Sequence, residues 1–214
     1  PWLDNYYTSP LQVNQIYPIA DAQGNIERLI LVNDQSKGIW SIAELYHSID
    51  DEKIVALPSY LTEQQQTDLM TTWAMAAYEF RNYKTVASSR QQKQLSLTDQ
   101  QVLLLNSHVK PLIDAIYQTR DLINQPCETL TPDQLAIHSQ KLAHDMGAVC
   151  EIISDLDQIK TDFPLVHAVG RAAENKPRII SLTWGNPSHY KLGLVGKGVC
   201  YDTGGLNLKP GQSM

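Results

Sequence analysis

Residues 131–147 carry both a start signal and a stop signal for a helix. Thr131 is a favourable N-cap, Pro132 suits the first helical position, and Gly147 suits the left-handed residue that ends a helix. Short apolar segments follow at residues 148–153, 178–184 and 191–196. Because helical and strand patterns alternate here, the sequence predicts an α/β fold built from parallel βαβ units.

The first hundred residues predict a smaller α/β unit. Residues 16–20 and 26–32 are β-rich runs, and a glycine-containing connection of hairpin length separates them. A short strand is predicted at residues 54–58. Thr62 and Gln65 then form a capping-box pattern, which predicts a helix that begins after Thr62 and buries one apolar face.

A polar stretch and a long helical pattern lie between the two halves. Residues 85–96 lack periodicity, which predicts a linker or exposed loop. Residues 98–124 repeat apolar side chains at helical spacing, although Pro111 should kink or break that helix. The predicted organisation is a small α/β domain at 1–97, a connecting helix at 98–124 and part of a second α/β domain, with a mainly parallel central sheet, at 125–214.

Charge and composition exclude several classes of protein. The chain has 17 basic and 23 acidic residues and a net charge of −6, without a cluster of Lys and Arg, which argues against a nucleic-acid partner. No apolar run approaches the roughly 20 residues that span a bilayer, so no membrane association is predicted. The widely spaced Cys127, Cys150 and Cys200 indicate neither a disulfide framework nor a zinc knuckle, and they fit a reducing cytoplasm.

The richest concentration of glycine and charge lies at residues 193–211. Lys197, Asp202 and Lys209 stand there among glycines that allow the backbone to turn closely around a ligand. A functional loop is therefore predicted. A purely structural glycine turn is the simpler alternative, but it leaves the two lysines and the aspartate unexplained.

Two nucleotide-binding motifs were tested against this loop and do not fit. A P-loop would need glycine at position 191, which is Lys191, and Ser or Thr after Lys197, where Gly198 stands. The dinucleotide motif fails because Cys200 or Tyr201 falls where its third glycine should be.

The same loop resembles the metal-site signature of the leucyl aminopeptidase family, whose members are cytosolic two-metal exopeptidases. The resemblance is carried by the sequence Leu-Val-Gly-Lys-Gly-Val at 194–199, Tyr-Asp-Thr-Gly-Gly at 201–205 and Leu-Lys-Pro at 208–210. Upstream matches lie at residues 120–124, 129–135, 163–172 and 177–180. Together they cover residues 115–214, and the first hundred residues resemble the family only loosely.

The resemblance implies a role for each of three residues, all of which would also contact the substrate. Lys197 would be a ligand of one metal, and Asp202 would bridge both. A lysine binds metal only as the neutral amine, whereas an ionised aspartate offers one oxygen to each cation. Lys209 would be catalytic, since a protonated lysine can stabilise the oxyanion of the tetrahedral intermediate.

By resemblance, the chain is part of a metal-dependent aminopeptidase that releases N-terminal residues, leucine-like ones preferred, from peptides. Two divalent ions, Mn²⁺ or Zn²⁺, would activate the attacking water. The resemblance also implies a cytoplasmic homo-oligomer, which is a hexamer in the family. The family's further metal ligands are expected after Met214. The 214 residues alone are therefore expected to hold the metals incompletely, to be inactive and to contain an incomplete catalytic domain.

A second hypothesis comes from a different class of protein. The chain could be a short, non-catalytic form that binds peptides or assembles with other subunits. Metal-dependent hydrolysis of a leucyl amide distinguishes the two hypotheses.

Overall fold

The computed structural model describes residues 12, 16–24, 26–31, 40–49, 54–57, 60–85, 93–200 and 212. The chain divides into two compact units, Pro1–Asn124 and Gln125–Met214. Both units combine helices with strands, so the predicted α/β class is confirmed. Within the described ranges, no helix has the length and apolar character needed to cross a bilayer.

The first unit begins with the predicted hairpin. Strand β1 (Ile16–Ala20) pairs antiparallel with β2 (Ile26–Leu31). The connection turns at Gly24, whose φ of 88° is left-handed, and the Gly24 amide donates a 3.1 Å hydrogen bond to the Asp21 carbonyl. Glycine is needed here because residues with a Cβ rarely adopt this conformation.

A parallel βαβ unit follows a short helix, α1 (Ser41–Ser48). Strand β3 (Ile54–Ala56) is joined through α2 (Glu63–Ala77) to β4 (Gln94–Ser96), and the two strands pair in parallel. The sequence placed β4 in a loop, and that prediction was wrong. Its one apolar residue, Leu95, pairs with Val55 and packs against the core. A strand of three residues with one apolar side chain is too short to show an alternating pattern in the sequence.

Helix α2 begins as the sequence predicts. The Thr62 hydroxyl accepts from the Gln65 amide, and the Gln65 side chain accepts from the Thr62 amide. This capping box satisfies two backbone donors that have no partner within the helix. Met70, Thr72 and Trp73 are buried along the helix, which fixes the face that meets the core.

Residues 99–124 are helical throughout, with one irregular turn. Helix α3 (Asp99–Leu104) passes into a π-helical turn (Leu105–Val109), which continues as α4 (Lys110–Asn124). The Lys110 amide donates to the carbonyl of Leu105, five residues earlier. Pro111 lacks an amide proton and crowds the preceding turn, so the widened turn directly before it keeps the helix continuous. The predicted interruption is therefore a local π turn.

The core of the first unit lies where α2 meets the long helix. Leu57, Met70, Val109 and Ile113 form its buried cluster. Met70 and Val109 each expose 1% of their surface, and burying such side chains stabilises a fold by about 1.5 to 3 kcal/mol each.

Polar contacts also join α4 to the end of α2. The Tyr117 hydroxyl donates to the Ala74 carbonyl, and Arg120 Nη1 donates to the Met75 carbonyl at 2.9 Å. Helix α2 therefore has its last turn capped by side chains of α4, which satisfy carbonyls that have no partner within the helix.

The second unit begins with α5 (Pro132–Met146), as predicted. The Thr131 hydroxyl accepts from the Gln134 amide at 3.3 Å, and Gly147 ends the helix with a left-handed φ of 65°. Both cap signals in the sequence are therefore confirmed.

The strands of the second unit pair in the opposite sense to the one predicted for them. Strand β5 (Val149–Ile153) leads through α6 (Leu156–Asp162) and α7 (Pro164–Gly170) to β6 (Ile179–Thr183), and β5 and β6 run antiparallel. The prediction of parallel pairing for these two strands was wrong. Helices α6 and α7 pack as a pair, so the chain returns to the end of β5 that it left, and Ile153 pairs with Ile179.

Candidate functional site

The segment expected to carry the chemistry starts after β6 with a tight turn. Gly185 adopts a left-handed φ of 95°, and the His189 amide donates to the Asn186 carbonyl at 3.0 Å. The indole Nε1 of Trp184 donates to the Met146 carbonyl at 3.1 Å. The turn is thus anchored to the C-terminal end of α5.

From Tyr190 to Val199 the chain is exposed coil. The strand predicted at residues 191–196 does not form in the structure. Leu192 and Leu194 remain 84% and 87% exposed. A strand requires a neighbour that completes its backbone hydrogen bonds, and no part of the chain that the structure describes pairs with this segment.

Lys197 lies on this exposed coil. Its side chain is accessible, which metal binding needs, and none of the described residues around it buries it.

The other two predicted site residues, Asp202 and Lys209, lie outside the described residues. Their roles, and their arrangement with Lys197, therefore stay predictions. No group of three or more His, Cys, Asp or Glu side chains that could hold a metal occurs within the described ranges. The donor set expected from the sequence, an amine and a carboxylate, is chemically suited to a divalent cation.

The end of the coil meets the start of α5. A Cβ placed on Gly198 would lie 3.6 Å from Cδ2 of Leu135, so the backbone there lies against the helix. Two residues later, partial burial is the main cause that raises the pKa of the Cys200 thiol, and the charge of Cys127 raises it further.

Cys127 belongs to a compact turn that leads into α5. The amides of Thr129 and Leu130 both donate 2.9 Å hydrogen bonds to the Pro126 carbonyl. The Cys127 side chain is exposed. This turn and Gly198 therefore both lie near the start of α5.

An ion pair fixes β6 to α5. Arg178 Nη2 lies 2.5 Å from Asp133 Oδ1, and the Arg178 side chain is only 18% exposed. Arg178 Nη1 also donates to the carbonyls of Lys176 and Pro177. The strand that leads to the candidate segment is thereby held at the first turn of α5.

His167 lies within the stretch 163–172 that resembles the family, and in the structure it is a partly buried residue of α7. No catalytic role was assigned to it from the sequence, and its position in the structure gives no reason to add one.

Comparison with solved structures defines the class of fold. The crystal structure of the cytosol aminopeptidase from Coxiella burnetii matches 82% of this chain with a TM-score of 0.69 and 25% identity, and 37% of that chain is covered. The bottromycin maturation enzyme BotP, in complex with Mn, matches 82% of this chain and 40% of its own, with a TM-score of 0.64 and 18% identity. The architecture is that of an α/β aminopeptidase.

Sequence comparison identifies the family. Residues 117–214 match the catalytic domain of the cytosol aminopeptidase family, and this part of the chain belongs to it. A probable cytosol aminopeptidase from Wolinella succinogenes is 34% identical over 172 residues, which are 70% of this chain and 34% of the relative. The chain spans about a fifth to a third of the length of the curated relatives it matches.

Proposed function

We propose that the chain is part of a metal-dependent aminopeptidase that removes N-terminal residues, leucine-like ones preferred, from peptides. The observation that carries the proposal is the family match over residues 117–214, which includes the whole segment from Lys197 to Lys209. The aminopeptidase fold of its structural neighbours supports the same activity. The proposed domains are an N-terminal α/β domain at 1–97, a connecting helix at 98–124 and an incomplete catalytic domain at 125–214.

Each proposed site residue has a distinct task. Lys197 as a neutral amine and Asp202 as a bridging carboxylate would hold two divalent ions, Mn²⁺ or Zn²⁺. Bound ions of this kind polarise the scissile carbonyl and activate water for attack. Lys209 would stay protonated and stabilise negative charge on the carbonyl oxygen, and the three side chains together would orient the peptide.

These residues do not form a complete metal centre. Catalytic cations of this kind need about four to six donors each, with a position left open for water. We therefore propose that residues outside this sequence complete the centre, and that the working enzyme is a cytoplasmic homo-oligomer, hexameric as in its family. The Mn in the BotP structure supports manganese as the first ion to test.

The test uses the whole protein, loaded with Mn²⁺ and assayed on a leucyl amide. Lys209→Ala should lower kcat by about 10² to 10³, the effect of losing one oxyanion stabiliser, with metal content unchanged. Asp202→Asn should lower metal content as well as rate. Lys191→Ala is the matched control, since it removes a lysine from the same segment at a position with no proposed role, and both readouts should stay unchanged.

The results also separate the two classes of function. Chelation should abolish hydrolysis, and added Mn²⁺ should restore it. A protein that binds metal normally but does not hydrolyse any N-terminal amide would contradict the aminopeptidase proposal and favour a non-catalytic peptide-binding or assembly module.

A further inference from the structure

Helix α5 holds the candidate metal segment at two points. At the C-terminal end of the helix, the indole Nε1 of Trp184 donates its 3.1 Å hydrogen bond to the Met146 carbonyl. Near the start of the helix, a Cβ placed on Gly198 would lie 3.6 Å from Cδ2 of Leu135. The chain between Trp184 and Gly198 therefore leaves α5 at one end and returns to it near the other.

The return to the helix takes place around Lys197. Val195 is 101% exposed, whereas Val199 is 43% exposed. A Cβ added to Gly196 would meet no atom of the described residues within 4 Å, but one added to Gly198 would contact the helix. The contact thus begins at the residue directly after Lys197.

The chain between the two points is much longer than the gap that it spans. Leu135 and Met146 are eleven residues apart, which is about 16 Å along a helix. The fourteen residues from Trp184 to Gly198 could extend to about 46 to 50 Å. The attachment at Trp184 therefore leaves Lys197 a wide range of positions, and the contact beside Lys197 is what limits them.

The fold of the second unit fixes the position of Leu135. Its amide donates a 2.9 Å hydrogen bond to the Thr131 carbonyl at the start of α5. The ion pair between Arg178 and Asp133 joins the same part of the helix to β6. The helix surface that Gly198 contacts is therefore held in place by its own cap and by the neighbouring strand.

We propose that Leu135 is a positioning residue for the proposed metal ligand Lys197 and acts through its contact with the backbone at Gly198. This role rests on the proposed function, in which the Lys197 amine binds one of two divalent ions. Glycine at position 198 leaves room for the backbone to approach the helix, and the Leu135 side chain limits that approach. A ligand that is already placed loses less conformational entropy when the metal binds, so the contact should raise metal affinity.

The Mn²⁺ affinity of the whole protein, measured by calorimetric titration, tests this role. Leu135→Ala removes the atoms that meet Gly198 and should weaken binding about tenfold, the lower end of the effect of residues that orient metal ligands. Leu135→Met keeps most of the side-chain length and should restore the affinity of the wild type. Ile137→Ala is the matched control, because it removes an apolar side chain from the same helix at a position that is 53% exposed, and its affinity should be unchanged.

Two further variants separate positioning from a loss of stability. Trp184→Phe removes the distant hydrogen bond to Met146 and should leave Mn²⁺ affinity unchanged, whatever its effect on unfolding. Lys197→Ala removes the proposed ligand, so Leu135→Ala should have no further effect on affinity in that background. The proposal is overturned if Leu135→Ala binds Mn²⁺ as the wild type does, if Trp184→Phe weakens binding equally, or if the losses at Leu135 and Lys197 simply add.

Limited trypsin digestion of the metal-free protein tests the contact itself. Trypsin can cut after Lys191 and after Lys197, which both lie in the exposed coil. Cleavage after Lys197 requires the backbone at Gly198 to leave the helix, whereas cleavage after Lys191 does not. The ratio of the two cleavage rates should therefore rise in Leu135→Ala, by about fivefold for a contact of about 1 kcal/mol. An unchanged ratio would show that the contact does not hold the segment, and the proposal would be wrong.

The outcomes separate the positioning role from the proposed function. If the wild type hydrolyses a leucyl amide with Mn²⁺ but Leu135→Ala has normal metal affinity, the aminopeptidase activity stands and the positioning role is wrong. If the wild type neither binds Mn²⁺ nor hydrolyses the amide while the trypsin ratio still rises, the contact is confirmed, and the proposed function fails together with the positioning role.

Discussion

Arg178 and Asp133 form a 2.5 Å ion pair that joins the start of β6 to the first turn of α5. The arginine is mostly buried and its partner is about half exposed. Solvent therefore screens the pair only in part, and replacing the arginine also removes its hydrogen bonds to the carbonyls of Lys176 and Pro177.

Replacing Arg178 with Met should destabilise the protein by about 1 kcal/mol, because the change removes the charge and keeps much of the side-chain length. Urea unfolding followed by circular dichroism measures the loss. Lys141→Met is the matched control, since it breaks an ion pair with Asp145 in which the lysine is 74% exposed, and it should shift the midpoint much less. Equal shifts in the two variants would refute a special role for Arg178.

The C-terminal cap of α5 gives a second prediction. Gly147 has a φ of 65°, so Gly147→Ala should cost about 1 kcal/mol of stability, although nothing lies within 4 Å of the added methyl group. Gly147→Asn should cost less because asparagine tolerates the left-handed region. Gly193→Ala is the control, because Gly193 has space for an added methyl group and its φ is not left-handed. The midpoint of thermal unfolding should change little in this variant. A neutral Gly147→Ala would show that the cap is unimportant.

The core of the first unit gives a third prediction. Met70 is 1% exposed and belongs to the cluster with Leu57, Val109 and Ile113, so Met70→Ala should cost about 2 to 5 kcal/mol. Leu103→Ala removes a large apolar side chain that is 70% exposed, and it should cost much less. Chemical denaturation of both variants checks the ranking, which would be contradicted by similar losses.

A fourth prediction concerns alkaline pH. Burial is the main cause that raises the pKa of Tyr117 and of Tyr78, and the Tyr78 hydroxyl also donates a 2.8 Å hydrogen bond to Asp121. Above a pH of about 10 the unfolded chain loses these protons while the folded chain keeps them. The stabilisation is therefore complete below pH 10 and falls as the pH rises through the folded-state values.

The loss is followed by measuring the midpoint of urea unfolding from pH 8 to 11. This range extends from about two units below the reference pKa of tyrosine to about one unit above it. Tyr117→Phe should flatten the alkaline decline, whatever its effect at neutral pH. Tyr60→Phe is the matched control at a tyrosine that is 85% exposed, and it should keep the full decline. An unchanged slope in Tyr117→Phe would disprove the assignment.

Local signals in the sequence were the reliable ones. The caps of α2 and α5 were predicted correctly because Thr62, Gln65, Thr131 and Gly147 act within a few residues of their own positions. The β1–β2 hairpin was also predicted, because its connection is short.

Strand pairing was harder to predict, because it depends on residues that are distant along the chain. The three residues of β4 form a strand because they pair with β3. Strands β5 and β6 are antiparallel because α6 and α7 bring the chain back to the end of β5 that it left. Residues 191–196 show the opposite case, in which strand-like residues without a described partner remain coil.

The candidate site was predicted from a motif rather than from geometry. Lys197, Asp202 and Lys209 were identified by their setting in a glycine-rich segment, and the structure describes only Lys197. The contact between the backbone at Gly198 and Leu135 could not be predicted, since it arises from the packing of a coil against the start of α5.

The parallel pairing of β3 and β4 has a consequence for the order in which the first unit folds. The hydrogen bonds of this ladder cannot form until the chain has closed a loop that contains all of α2. The capping box of α2 and the β1–β2 hairpin need no such closure. Because the entropy of loop closure delays distant contacts, the β3–β4 ladder should be among the last parts of this unit to form and among the first to open.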